Sequence, residues 1–265
     1  MSNLTRAHNE LFRRAPDESF PSLAALAEHC RHETQNSVDR WELPQSLRPA
    51  LSVDYLNLAI GDDGDFLMTD WSFGQLCKLA SVKKDTVNRL SPDTAKRVFY
   101  ETLPNGNKPL QVFTSEQQVR SIHATSYTRL HNSDVLDIVQ ESATDFQPPQ
   151  QAGAGNGGTG LYCGEQDMFA FLIDPTGWTE IDGEAFAPGF FVWNSEVGRR
   201  SVGIETFWFQ AVCANHIVWD ATEVVEFSRK HTTNVHEALA EIRRMIETLV
   251  ATRDSRRDSF VKVVR

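Results

Sequence analysis

The sequence lacks a positive excess. Its 26 Lys and Arg face 36 Asp and Glu, a formal charge of −10, so a uniformly basic nucleic-acid coat is excluded and any anion-binding surface must be local. It also lacks a long apolar run. Nothing in it approaches the ~20 consecutive apolar residues of a spanning helix, and the start, MSNLTRAHNELFRRAP, holds no apolar stretch of the secretory kind. These absences read as a soluble, cytoplasmic protein with no membrane partner. Cysteine is scarce: Cys30, Cys77, Cys163 and Cys213 stand far apart in a mid-sized chain, which argues against a disulfide framework. No internal repeat is visible.

What is there is enough for one sizeable core with an appended subregion: 265 residues, 40% of them hydrophobic and 23% charged. Charge is uneven. Residues 227–265 carry nine Lys or Arg against five Asp or Glu, so the rest of the chain is strongly acidic and a basic tail follows an acidic body.

Helical periodicity runs from Asp70 to about Leu103, with Phe73, Leu76, Cys77, Leu79, Val87, Leu90, Ala95, Val98 and Phe99 as its apolar positions. Ser91 or Asp93 can cap the last helix, with Pro92 just inside it. A short helix over 22–30 precedes them. PNGNKP at 104–109 ends the helical stretch. β-Branched and aromatic residues then predict strands at 110–114, 119–127, 161–163, 168–173, 189–193 and 202–212, with a short helix at 134–142 opened by Asn132 or Ser133. The clearest helix is 235–253, where Asn234 and Glu237 have capping-box spacing. The expected class is therefore α+β: a helical N-terminal subregion (1–104), then a core (105–265) with a central, mostly antiparallel sheet, a C-terminal amphipathic helix and the basic tail. Residues 147–160 form a glycine-rich loop within that core.

Three constellations could carry chemistry. In SFGQLCKLASVKKDTVNRLS (72–91), Cys77, Ser81, Val82 and Val87 stand at the offsets of a helix-turn-helix. Lys83, Lys84, Asn88 and Arg89 would then face outward toward phosphates or base edges. An ordinary helical hairpin with a solvated basic face satisfies the same offsets. Gly153, Gly155 and Gly158 spell GxGxxG, but PPQQ precedes them and no helix pattern follows, so neither a dinucleotide site nor another cofactor is expected.

The third is WNSEVGRRSVGIETFWFQAVCANHIVWD (193–220), dense in polar groups beside a strongly apolar sheet. Such groups need partners, because an unsatisfied buried donor or acceptor costs about 1 to 3 kcal/mol. On a structural reading, Asn194 and Asn215 bridge turns while Cys213 fills core. On a catalytic reading, Cys213 is a nucleophile with His216 as base, which requires a turn between them. A metal site from Cys163, Cys213 and His216 lacks any paired ligand motif, so no metal is assigned. A nucleic-acid reading uses Arg199 and Arg200 with the neighbouring aromatics.

This last segment resembles the hallmark stretch of the phage- and plasmid-borne family called domain of unknown function 932, through Asn194, Ser195, Glu196, Gly198, Val212, Cys213 and Asn215. DWSFGQLCKLASV, VRSIHATSYTRLHNSDVLDIV and GLYCGEQDMFAFLID are similar to the family's order of elements, from about Asp70 to about His236. The resemblance implies a mobile-element setting and supplies no catalytic residues. The functional expectation is a non-catalytic accessory to replication or recombination that binds single- or double-stranded DNA through Arg199, Arg200, Lys83, Lys84 and Arg89, with host or phage replication proteins as further partners. A hydrolase or transferase centred on Cys213 and His216, and a protein-interaction module, are the alternatives.

Overall fold

The computed structural model describes residues 18–52, 55–149, 160–211, 216–218 and 226–264. Among them are seven α-helices and two mostly antiparallel sheets, an α+β architecture. None of these helices is long and apolar enough to cross a membrane. The chain divides into two compact units, one made of the chain up to His32 together with Leu130–Arg265 and the other of Glu33–Arg129. The sequence-based cut at 104 runs through the second of these.

The inserted unit, 33–129, adds strands to the helices expected between Asp70 and Leu103. Strands β1 (Ser37–Glu42), β2 (Leu47–Leu51), β3 (Leu56–Ile60) and β4 (Asp65–Met68) precede its helices, and β5 (Leu110–Ser115) and β6 (Gln118–Ala124) follow them. The sheet order is β1-β5-β6-β4-β3-β2, with β4–β6 as its parallel pair. Strands β1 and β2 are thus the two edges, yet only Leu43–Ser46 joins them. A flat six-stranded sheet is about 24 Å across at the usual strand spacing, whereas so short a connection reaches about 17 Å. The sheet therefore curls. Arg40 of β1 pairs with Asp63 and lies over the Phe66 ring of β4 at 5.4 Å, three strands away in the ladder.

Between β4 and β5 come α2 (Asp70–Leu79), the single turn α3 (Lys84–Val87) and α4 (Pro92–Thr102). The expected start of α4 forms: the Ser91 side chain accepts from Thr94 N, with Pro92 at the first helical position. Helix α2 packs on β6 and α4 on β2 and β3, burying Leu76, Cys77, Phe99 and Val87 against Leu58, Ile60, Val112 and Val119.

The other unit begins with α1 (Leu23–Gln35), longer than the expected 22–30, and resumes at α5 (Asn132–Ser142). Helix α5 is capped by His131, one residue before the expected positions, in a reciprocal box with Asp134. Its sheet comprises β7 (Leu161–Cys163), β8 (Met168–Ile173), β9 (Thr179–Ile181), β10 (Glu184–Asn194), β11 (Val202–Ala211), β12 (His216–Val218) and β13 (Glu226–Arg229). The ladder runs β12-β11-β10-β8-β7, with β13 also on β11 and β9 on β10. Of the segment 202–212, which also fits a helix face, Val202–Ala211 is strand, as its aromatic density favours, and the last residue lies outside the described ones.

Alternation along β10 sorts the two faces. Phe190 and Val192 meet α1, α5 and α6 (Glu237–Ala251), whereas Phe191 and Trp193 join Tyr162, Phe169, Phe171, Phe207 and Phe209 on the other side. Two glycines make room for that aromatic layer. A Cβ on Gly189 would meet Leu172 O at 2.6 Å and the Phe207 ring at 2.8 Å, and one on Gly203 would strike the Trp193 ring.

Helix α6 carries the expected apolar face, Ala238, Ile242, Met245, Ile246 and Leu249. Its expected capping box does not form: the cap is His236, and Glu237 instead accepts from Arg229 Nη1 at 2.6 Å. The basic tail is also more than a solvated end. Residues Arg253–Val264 form α7, whose Phe260 stacks on Trp208 at 4.0 Å and 7°, and Arg253 pairs with buried Asp174. Most of the glycine-rich loop, including Gly153, Gly155 and Gly158, lies outside the described residues.

Candidate functional site

The Asn-Ser-Glu segment sits where β10 ends and the chain turns toward β11. Asn194 is 0% exposed and donates through Nδ2 to Leu130 O and to Asn132 Oδ1, both at 2.9 Å. Glu196, also buried, accepts from Asn132 N at 2.8 Å, which sets a carboxylate on the first turn of α5, where the helix dipole favours negative charge. His131 Nδ1 lies 3.5 Å from the same oxygen. Ser195 Oγ donates to Gln166 O at 2.5 Å and accepts from Arg199 N at 2.9 Å. Gly198 takes φ +74° in this turn, with its N–H on Ser195 O. Arg200 is tied to Asp167, Nε to Oδ2 at 2.6 Å, and lies over the Phe169 ring at 4.9 Å. The Arg199 side chain is exposed.

These contacts hold the start of α5, the turn before β8 and the β10–β11 connection in register. Chemically they position backbone, and Asn194 Oδ1 is left buried without a hydrogen bond. Cys213 and Asn215 lie outside the described residues. His216 is placed only as backbone, paired with Gln210 on β11.

A second arrangement lies in the 33–129 unit, where the strands β3 and β4 face the helices α2 to α4. Here a cavity of about 430 Å³ is lined by Tyr55, Leu67 and Met68 on the strand side and by Phe73, Asn88 and Leu90 on the helical side, among others. Tyr55 is 65% exposed at its wall and Leu67 is 42% exposed. Thr69 and Asp70 also line it at the start of α2, which Thr69 caps by accepting from Ser72 N at 3.2 Å. Lys84 reaches back to Asp70, pairing with its carboxylate and donating to its backbone O at 3.2 Å, so the acidic side chain in this wall is neutralised. Lys83, Asn88 and Arg89 are exposed.

The helix-turn-helix offsets describe this region's packing well. Cys77 and Val87 are buried, and Ser81 occupies the turn with φ +57°. The turn closes α2 with Ser81 N on Lys78 O (3.1 Å) and Val82 N on Cys77 O (2.9 Å), the paired bonds of a Schellman end. The second helix, however, has four residues, about 6 Å of rise, so Lys83, Lys84, Asn88 and Arg89 share one short turn in place of a long helical face, and Asn88 of the four lines the cavity. Sequence reasoning found Asn88 but missed Tyr55, since nothing local to Tyr55 shows that it shares a cavity with residues 87–95.

Among known proteins, a family model described as Domain of unknown function (DUF932) matches residues 119–262, just over half of the chain. That span contains the Asn194–Glu196 network and α5, whereas the cavity lies before it. No curated protein matches the chain, and no solved structure does.

Proposed function

The chain belongs to the DUF932 family, and we propose that it binds single-stranded nucleic acid, without catalysis, at the cavity of its 33–129 unit. The observation that carries this reading is the placement of Tyr55, 65% exposed in the lining of a cavity that Asn88 also lines. An exposed ring is a platform for any base, worth about 1 to 3 kcal/mol per stacked base, and a carboxamide can read a base edge. Lys83 and Arg89 beside Asn88 supply phosphate partners. A four-residue helix is too short to lie along a duplex major groove, so a splayed single strand suits the site better than double-stranded DNA. The acidic remainder of the chain limits such binding to this local surface. The role that fits is a cytoplasmic accessory to replication or recombination of a phage or plasmid.

The test is a titration of a labelled single-stranded oligonucleotide across a salt series. Affinity should fall steeply with salt, and Lys83→Ala with Arg89→Ala should flatten the logarithmic slope by about 0.7 for each phosphate contact removed. No association with any strand at low salt would remove the reading.

A further inference from the structure

Two thiols meet in the helix-covered core of the seven-stranded sheet. Cys30 on α1 and Cys163 on β7 lie 133 positions apart in sequence, yet their Sγ atoms are 3.8 Å apart. Cys30 is 1% exposed and Cys163 6%. Asn132 Nδ2 approaches Cys163 Sγ to 3.8 Å, and a ring nitrogen of His29 lies within 4.8 Å of it. A core asks of cysteine only that it fill space. Two thiols this close, with an amide N–H and an imidazole beside one of them, are placed for sulfur chemistry, because disulfide formation needs both sulfurs within reach.

We propose that Cys163 and Cys30 are a redox-active pair, with Cys163 the sulfur attacked first and Cys30 the resolving thiol, and a hydroperoxide as the oxidant. The Cys163 thiolate attacks one peroxide oxygen. The S–O bond forms, the O–O bond breaks, and the departing oxygen leaves with the bonding pair and takes a proton. The resulting sulfenic acid is then attacked by the Cys30 sulfur: the S–S bond forms, the S–O bond breaks, and hydroxide leaves as water with the Cys30 proton. One hydroperoxide is reduced to an alcohol and water, or to two waters for hydrogen peroxide, while two thiols become one disulfide. The sulfurs need to approach by about 1.8 Å to reach disulfide bonding distance, a movement within the range of side-chain rotation.

The ring so closed contains all of residues 33–129, so oxidation would fasten Cys30, which precedes that segment in the chain, to β7, which follows it. Cys77, in the core of that inserted unit, is a built-in control. It is as buried as Cys30, 1% exposed, so burial alone does not set the pair apart from it.

The test is stepwise treatment of the reduced, folded, full-length protein with hydrogen peroxide, followed by intact mass and non-reducing peptide mapping. The expected result is a loss of about 2 Da per chain, reversed by dithiothreitol, with the Cys30 and Cys163 peptides joined. Cys30→Ser should yield a sulfenic acid on Cys163 that dimedone captures. Because both residues are core, the wild-type map decides even where that variant fails to fold. A bridge through Cys77 or Cys213, oxygen addition without a bridge, or no change in the folded protein overturns the proposal.

Discussion

Glu196 Oε1 accepts the backbone N–H of Asn132 at 2.8 Å, and Asn194 holds the Asn132 side chain and Leu130 O from the same turn. Two consecutive polar elements, 62 to 64 positions away along the chain, thus fix the point at which the chain re-enters its larger unit. The Asn-Ser-Glu segment is in this respect structural.

Replacing Asn194 by Ala should therefore cost stability and spare binding. The substitution leaves Leu130 O and Asn132 Oδ1 without their donor inside the core, which costs about 2 to 4 kcal/mol in all. Chemical denaturation should register that loss, while oligonucleotide affinity of the folded fraction stays at the wild-type value. A stable Asn194→Ala protein that no longer binds would invert the assignment.

Ser81→Gly should stabilise. Ser81 closes α2 at φ +57°, where an L-residue carries about 1 to 2 kcal/mol of steric cost. Glycine removes that cost and gives back about 0.5 to 1 kcal/mol through the freer unfolded chain, so a net gain of about 0.5 to 1 kcal/mol is expected in a thermal or urea midpoint. A loss would mean that the Ser81 side chain makes a compensating bond.

Gly203→Ala should destabilise by about 2 kcal/mol or more, as overpacked cores do. Its Cβ would sit 2.6 Å from Phe227 O and closer still to the Trp193 ring, which lies over this position from the neighbouring strand. Trp193 emission should shift with the substitution. Unchanged stability would show that the indole can move aside.

Burial raises the Cys77 thiol above its ordinary value. An acid whose folded pKa is raised contributes full stability below the unfolded value, about 8.5 for a thiol, and loses it as pH rises from there through the folded value. Stability should therefore decline above about pH 8.5, less so in Cys77→Ala. Iodoacetamide should label Cys77 slowly in the folded chain near neutral pH and rapidly after denaturation. Equal labelling in both states would contradict the burial.

The elements that sequence reading found are those whose signals are local. Ser91 followed by Pro92 announces α4, the periodicity of Val235 to Val250 announces α6, and the density of Phe, Trp and Ile between 202 and 211 announces β11. Strand β1 was missed because it is an edge: Val38 and Trp41 are both exposed although they point to opposite faces, so no alternation develops. Helix α7 was missed because one aromatic, Phe260, anchors a segment that is otherwise largely polar. Asn234 failed as a cap because Arg229 engages both its backbone O and the Glu237 carboxylate. The pairings of Asn194 with Asn132 and of Cys30 with Cys163, and the presence of Tyr55 and Asn88 in one cavity lining, are set by topology, and a single sequence has no local pattern that records them.

Photo-cross-linking tests the central claim most directly, because it reports where a base sits. A single-stranded oligonucleotide carrying 5-iodouracil, irradiated with the full-length protein and mapped by peptide mass, should mark Tyr55, and Tyr55→Ala should remove that adduct and weaken binding by about 1 to 3 kcal/mol. Adducts confined to residues 194–200, or affinity unchanged by Tyr55→Ala, would contradict it.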